Sequence, residues 1–85
     1  MSDTFNKIRQ ILNKEFSFHY DQIQLETQLE LELGMDSREF LELIDKLELL
    51  FNIVIDLDDI DKMIENHIVI TIQDLVTYIN IKRTP

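Results

Sequence analysis

The chain has 85 residues and a formal charge of −9, with 17 acidic and 8 basic side chains and no cysteine. That length allows one hydrophobic core; the acidity argues against nucleic acid and anionic membranes as ligands and for basic protein patches. Missing thiols exclude a disulfide framework, a cysteine nucleophile and a cysteine-based metal site, and with no signal-peptide profile or membrane-spanning apolar run a cytoplasmic protein without membrane insertion is expected.

Ser2 or Asp3 is a good N-cap, and Phe5, Ile8, Ile11, Leu12 and Phe16 then recur at helical spacing with Lys7, Arg9 and Lys14 opposite. This predicts a first helix over roughly 3–15. From 17 to 33 the helical period is lost, and such a length is unusual in a small domain unless the loop packs. Ile23, Leu25, Leu29, Leu31 and Leu33 are expected to pin it. Leu29, Leu31 and Leu33 alternating with Glu30 and Glu32 also fit a short strand, but no other stretch suggests itself as a pairing partner. An extended loop with a packed leucine ladder is the expectation.

Gly34, the only glycine, opens the next element. Asp36 is a good N-cap and Glu39 stands three residues later, the spacing of a capping box. Phe40, Ile44, Leu47 and Phe51 form a helical stripe, widened by Leu41, Leu43 and Leu50, while Glu39, Glu42, Asp45 and Glu48 mark the other face. A second helix over 37–51 follows. Asn52 to Asp56 reads as a connector with Ile53 and Ile55 inward, and 58–65 as a short helix with Ile60, Met63 and Ile64 as its apolar face. Ile68, Val69 and Ile70 are β-formers by propensity. Thr71 with Asp74 repeats the capping signal, and Ile72, Leu75, Val76 and Ile79 predict a last helix over 72–81 with a basic tail. The sum over 1–85 is one all-α domain, a small bundle of three main helices and a short one, expected as a monomer.

The enzymatic readings are weak. A serine nucleophile needs a nearby base, and the histidines are only His19 and His67. Gly34-Met-Asp-Ser37 lacks the second glycine of a hydrolase elbow, and a catalytic cleft is hard to build at this size, so no catalytic residue is assigned. The run Asp56 to Asp61 lacks the oxygen ligands and glycine of a calcium loop and reads as a helix start, with no metal site. Ser37 differs from an ordinary cap. Asp36 already fills the capping role, which leaves a spare hydroxyl at a helix N-terminus, where a phosphate group is favoured.

Leu33-Gly34-Met35-Asp36-Ser37 followed by Leu41-Glu42-Leu43 resembles the attachment motif of acyl carrier proteins, and the order helix, long loop, motif helix, short helix, last helix extends the resemblance over nearly the whole chain. It implies that Ser37, with Asp36 beside it in the motif, carries 4′-phosphopantetheine installed from coenzyme A by a phosphopantetheinyl transferase. The arm's thiol would hold acyl groups as thioesters for fatty acid, polyketide or other specialised biosynthetic enzymes. The chain would then be a carrier and not an enzyme. Arg38, Glu39, Glu42, Asp45 and Glu48 would dock basic patches on the transferase and on acyl-processing enzymes. Leu43, Leu47, Ile60 and Ile64 are the candidate lining of an acyl pocket, although core packing accounts for them equally.

The chain also departs from that pattern. Arg38 replaces the usual leucine after the serine, Asp45 stands where an apolar residue is common, and Leu49 where an acidic one is frequent. Asp56 replaces a proline after Ile55, and 61–70 is longer than a housekeeping carrier needs. These departures point to a specialised carrier. Asp36 favours an acyl carrier over a peptidyl carrier, which more often has glycine there, but a D-alanyl or aminoacyl carrier also fits. So does an acidic helical interaction module that never receives the arm.

Overall fold

A computed structural model describes residues 3–66 and 70–83 of the chain. The described elements are α1 (Asp3–Phe16), a 3₁₀ turn (Tyr20–Gln22), α2 (Ser37–Phe51), α3 (Leu57–Asn66) and α4 (Ile72–Arg83). No strand occurs among the described residues, and the all-α bundle expected from the apolar periodicity is the fold observed. His67, Ile68 and Val69 fall outside the described residues, as does the side chain of Ile64.

Three helix starts have a local chemical reason. Asp36 Oδ1 accepts from Glu39 N–H at 2.8 Å, and Asp36 N–H donates to Glu39 Oε1 at 3.3 Å, closing the capping box of α2. Thr71 and Asp74 do the same for α4, with Thr71 Oγ1 accepting from Asp74 N–H at 3.2 Å and Asp74 Oδ2 from Thr71 N–H at 2.9 Å. Asp56 Oδ1 accepts from Asp58 N–H at 2.9 Å. The residue that stands where a proline was expected is thus the cap of α3, which begins at Leu57. Asn52, left-handed at φ 54, ends α2, and Ile53 N–H returns to Glu48 O at 3.2 Å.

The core is one cluster. Ile8 and Leu12 of α1, Leu43, Ile44, Leu47 and Phe51 of α2, Ile60 of α3, and Ile72, Leu75, Val76 and Ile79 of α4 are buried in it. At the termini α1 and α4 are clamped together. Arg83 Nη1 donates to Thr4 Oγ1 at 3.1 Å, Thr4 also bonds to Asn80, and the Arg83 guanidinium lies 5.1 Å from the centre of the Phe51 ring. Lys82 and Arg83, expected in a trailing tail, therefore belong to the last turn of α4, where cations suit the helix dipole.

The long connection differs from the expected leucine ladder. Residues 28–33 make a tight turn in which Glu32 N–H and Leu33 N–H both bond to Gln28 O, at 3.0 and 3.2 Å. In a helix-like turn positions four apart share a side, so Leu29 and Leu33 are buried while Leu31 is 68% exposed. Leu25 is also exposed, and Ile23 is fully buried. The loop does have a pairing partner, the entry to α4. Leu29 N–H bonds to Ile70 O at 3.0 Å, Ile72 N–H to Thr27 O at 3.0 Å and Gln73 N–H to Leu25 O at 2.8 Å, around an antiparallel bridge between Gln28 and Thr71. On α2, Leu41 and Leu50 were expected to widen the buried stripe but are 47% and 45% exposed, because the core needs only the face centred on Leu43 and Leu47.

Candidate functional site

The N-terminus of α2 is set by the four residues before it. Leu33 and Met35 are buried, and between them Gly34 takes a left-handed φ of 67. That turn lets Gly34 N–H reach Glu30 O at 3.0 Å and Met35 N–H reach Leu29 O at 3.1 Å. Two apolar plugs flanking a left-handed glycine hold the chain down on both sides of the turn, so the next residues stand out from the core. Asp36 and Ser37 are both exposed. Met35 was not singled out from the sequence. A lone methionine between glycine and aspartate carries no periodic signal, and only the packing shows its anchoring role.

Ser37 is the first residue of α2. Its neighbour Asp36 accepts the Glu39 amide, and no hydrogen bond to the Ser37 hydroxyl occurs among the described residues. The oxygen is open to solvent, beside the unpaired amides of a helix start. A phosphodiester formed there would lie at the positive end of the helix dipole. The exposed serine, the capping aspartate and the glycine turn are mutually consistent, and the residues fit an esterified phosphate-linked arm.

The expected docking residues divide into two groups. Arg38, Glu42 and Asp45 are exposed, with Arg38 Nε 3.8 Å from Glu42 Oε1 across one helical turn. A pair this open contributes little to stability, so both groups are available to other partners. Glu39 and Glu48 are half-buried and already have backbone partners. Glu39 closes the capping box, and Glu48 Oε2 accepts from Ile55 N–H at 2.8 Å, fixing the connector to α3. Glu48 thus has a positioning role that its place on the acidic face did not suggest.

Leu43 and Leu47 are fully buried and Ile60 is 3% exposed, so these three candidate lining residues belong to the one core cluster. Alongside them, α3 is tied to α4 by a polar contact. Tyr78 Oη donates to Asp59 Oδ2 at 2.8 Å, and Lys82 Nζ lies 3.3 Å from the same oxygen. The Tyr78 hydroxyl is the main reason that the Asp59 carboxyl is held below its ordinary pKa; partial desolvation opposes the shift and Lys82 adds to it. Tyr78 is raised, first by burial and then by its bond to Asp59.

No helix of the described residues is long and apolar enough to cross a membrane. Comparison with curated proteins finds no significant match. A family profile described as the phosphopantetheine attachment site matches residues 6–79, from the first turn of α1 to Ile79 within α4. That span takes in the glycine turn, the capping aspartate and the open serine, and the chain belongs to the phosphopantetheine attachment-site family, whose members carry a 4′-phosphopantetheine prosthetic group.

Proposed function

We propose that Ser37 is the attachment residue and that the protein is an acyl carrier serving a specialised biosynthetic pathway. The observation that carries this reading is the division of labour at the start of α2. Asp36 satisfies the helix amide, which leaves the Ser37 hydroxyl exposed and uncommitted. When bound, 4′-phosphopantetheine supplies a thiol on which acyl groups are held as thioesters, a nucleophile that a chain without cysteine lacks. The protein's own residues orient that chemistry. Leu33 and Met35 anchor the turn, Gly34 makes it, Asp36 caps the helix, and Ser37 Oγ loses its proton and attacks the pantetheinyl β-phosphate of coenzyme A, releasing the adenosine bisphosphate portion. The partner transferase supplies the base.

Glu42 and Asp45 form the exposed acidic face that meets basic residues of partner enzymes, with Arg38 exposed beside them as a docking residue of opposite charge. Leu43, Leu47 and Ile60 are the residues against which an acyl chain would lie, with Ile64 assigned to the same lining from its place in the sequence. Incubation with coenzyme A and a broad-specificity phosphopantetheinyl transferase, followed by intact-mass measurement, tests the attachment. One phosphopantetheine increment is expected, and none in Ser37→Ala. An increment that survives in the variant places the arm elsewhere, and its absence from the unaltered chain refutes the carrier reading.

A further inference from the structure

Arg38 runs against two preferences of the helix that holds it. It lies in the first turn of α2, at the positive end of the helix dipole, where an acidic side chain is favoured and a basic one is not. Its partner Glu42 follows it by four residues, whereas an ion pair along a helix is stronger with the carboxylate on the N-terminal side. The pair is also loose, at 3.8 Å, and the Arg38 side chain is 88% exposed. Glu42 therefore does little to hold Arg38 or to offset its cost. A residue that breaks local preferences without a gain in the fold points to a partner outside it.

The surrounding charges indicate that partner. From 33 to 45 Arg38 is the only cation, beside Asp36, Glu39, Glu42 and Asp45. The next cation on α2, Lys46, lies about 13 Å along the helix from Ser37 and is taken by Glu15 at 3.0 Å. An arm on Ser37 adds a further negative charge, its phosphodiester, between Asp36 and Arg38. Helical side chains lean toward the helix N-terminus, so the long stem of Arg38 leads back to the turn that carries Ser37. The planar guanidinium offers parallel N–H donors to two phosphate oxygens, a better match than its single-nitrogen contact with Glu42. We propose that Arg38 is a phosphate-binding residue for the arm: its guanidinium leaves Glu42 and pairs with the phosphodiester on Ser37, restraining the root of the arm. This assignment rests on Ser37 being the attachment residue.

The test loads the ¹⁵N-labelled chain from coenzyme A with a phosphopantetheinyl transferase, verifies the increment by intact mass, and compares it with the unmodified chain by NMR. On loading, the Arg38 Nε–H resonance should shift, and its exchange with water should slow roughly two- to fivefold, the protection an exposed ion pair gives. Glu42→Gln should move that resonance in the unmodified chain but not in the loaded one. The ³¹P resonance of the diester should shift in Arg38→Gln and lie between the two in Arg38→Lys, which keeps the charge but loses the fork. Added salt should carry the ³¹P resonance of the unaltered chain toward its Arg38→Gln position. A loaded chain whose Arg38 Nε–H still follows Glu42→Gln, or whose ³¹P resonance ignores both salt and Arg38→Gln, overturns the proposal and leaves the carrier reading intact. No increment on Ser37 refutes that reading and the proposal with it. The Nε–H measurement needs no Arg38 variant, so it decides the matter even if the transferase rejects Arg38→Gln.

Discussion

Gly34 has nothing within 4 Å of the position a β-carbon would take, so its φ of 67 is the whole reason for glycine there. Gly34→Ala should cost about 1–2 kcal/mol, the penalty for an L-residue in left-handed backbone, with no packing contribution. Urea denaturation measures this, and an unchanged midpoint would show that the turn before α2 has another way to form. Ser17 adopts nearly the same conformation at φ 63 without glycine's freedom. Ser17→Gly should therefore stabilise the fold by up to about 1 kcal/mol in the same assay. The two turns also show what a residue reveals of its conformation. A single glycine before an Asp-Ser pair signals a left-handed turn, whereas a serine after Phe16 does not, because serine is at home in many backbone states. Asp36, Ser37 and Glu39 were legible because capping is local chemistry. Glu48 was not, because its partner, the Ile55 amide, lies beyond the helix end.

Among the elements, α3 depends most on a polar anchor, with Ile60 its one deeply buried described side chain. The Asp59 to Tyr78 contact should set its pH range. Asp59 binds a proton less readily folded than unfolded, so its contribution is present above the ordinary carboxylate range and is lost as pH falls through the lowered value. Tyr78 is shifted upward, so its contribution is complete below the ordinary tyrosine value and is lost as pH rises through the raised one. Lys82, raised chiefly by its bond to Asp59, follows the same alkaline direction. Hydrogen exchange of α3 amides, corrected for intrinsic rates, should be flat near neutrality and faster at both extremes. Tyr78→Phe should speed exchange in α3 at neutral pH without affecting α1; equal protection in the variant would mean that burial of Ile60 suffices. The helices were legible because each buries a stripe at a 3.6-residue period. The expected leucine ladder over 28–33 failed because an extended loop would bury Leu29, Leu31 and Leu33 alike, while a turn of this kind buries only the first and last.

For the molecule as a whole, an excess of 17 acidic over 8 basic residues means that compaction crowds like charges. The ion pairs offset little of this. Lys46 with Glu15 at 3.0 Å and Lys7 with Asp3 at 3.4 Å are both substantially exposed. Added salt should raise the melting temperature by screening, and magnesium should act at lower concentration than sodium. A melting temperature indifferent to both would mean that the carboxylates are already spaced beyond mutual influence. The overall bundle could be foreseen from its stripes; the joining of residues 25–29 to 70–73 could not, since a few backbone bonds across that separation leave no pattern in side chains. Yet that joint shapes the topology. The chain leaves the frame made by α1, α4 and the paired loop at Gly34 and returns to it at Ile70. Everything between, Ser37 included, has its ends tied at one place, while α2 and Ile60 of α3 share the core with α1 and α4. Exchanged between two carriers of this family with the buried residues of α2 and α3 kept, the exposed positions of 34–70 should carry the choice of partners with them, as binding of each host's partner enzymes measures.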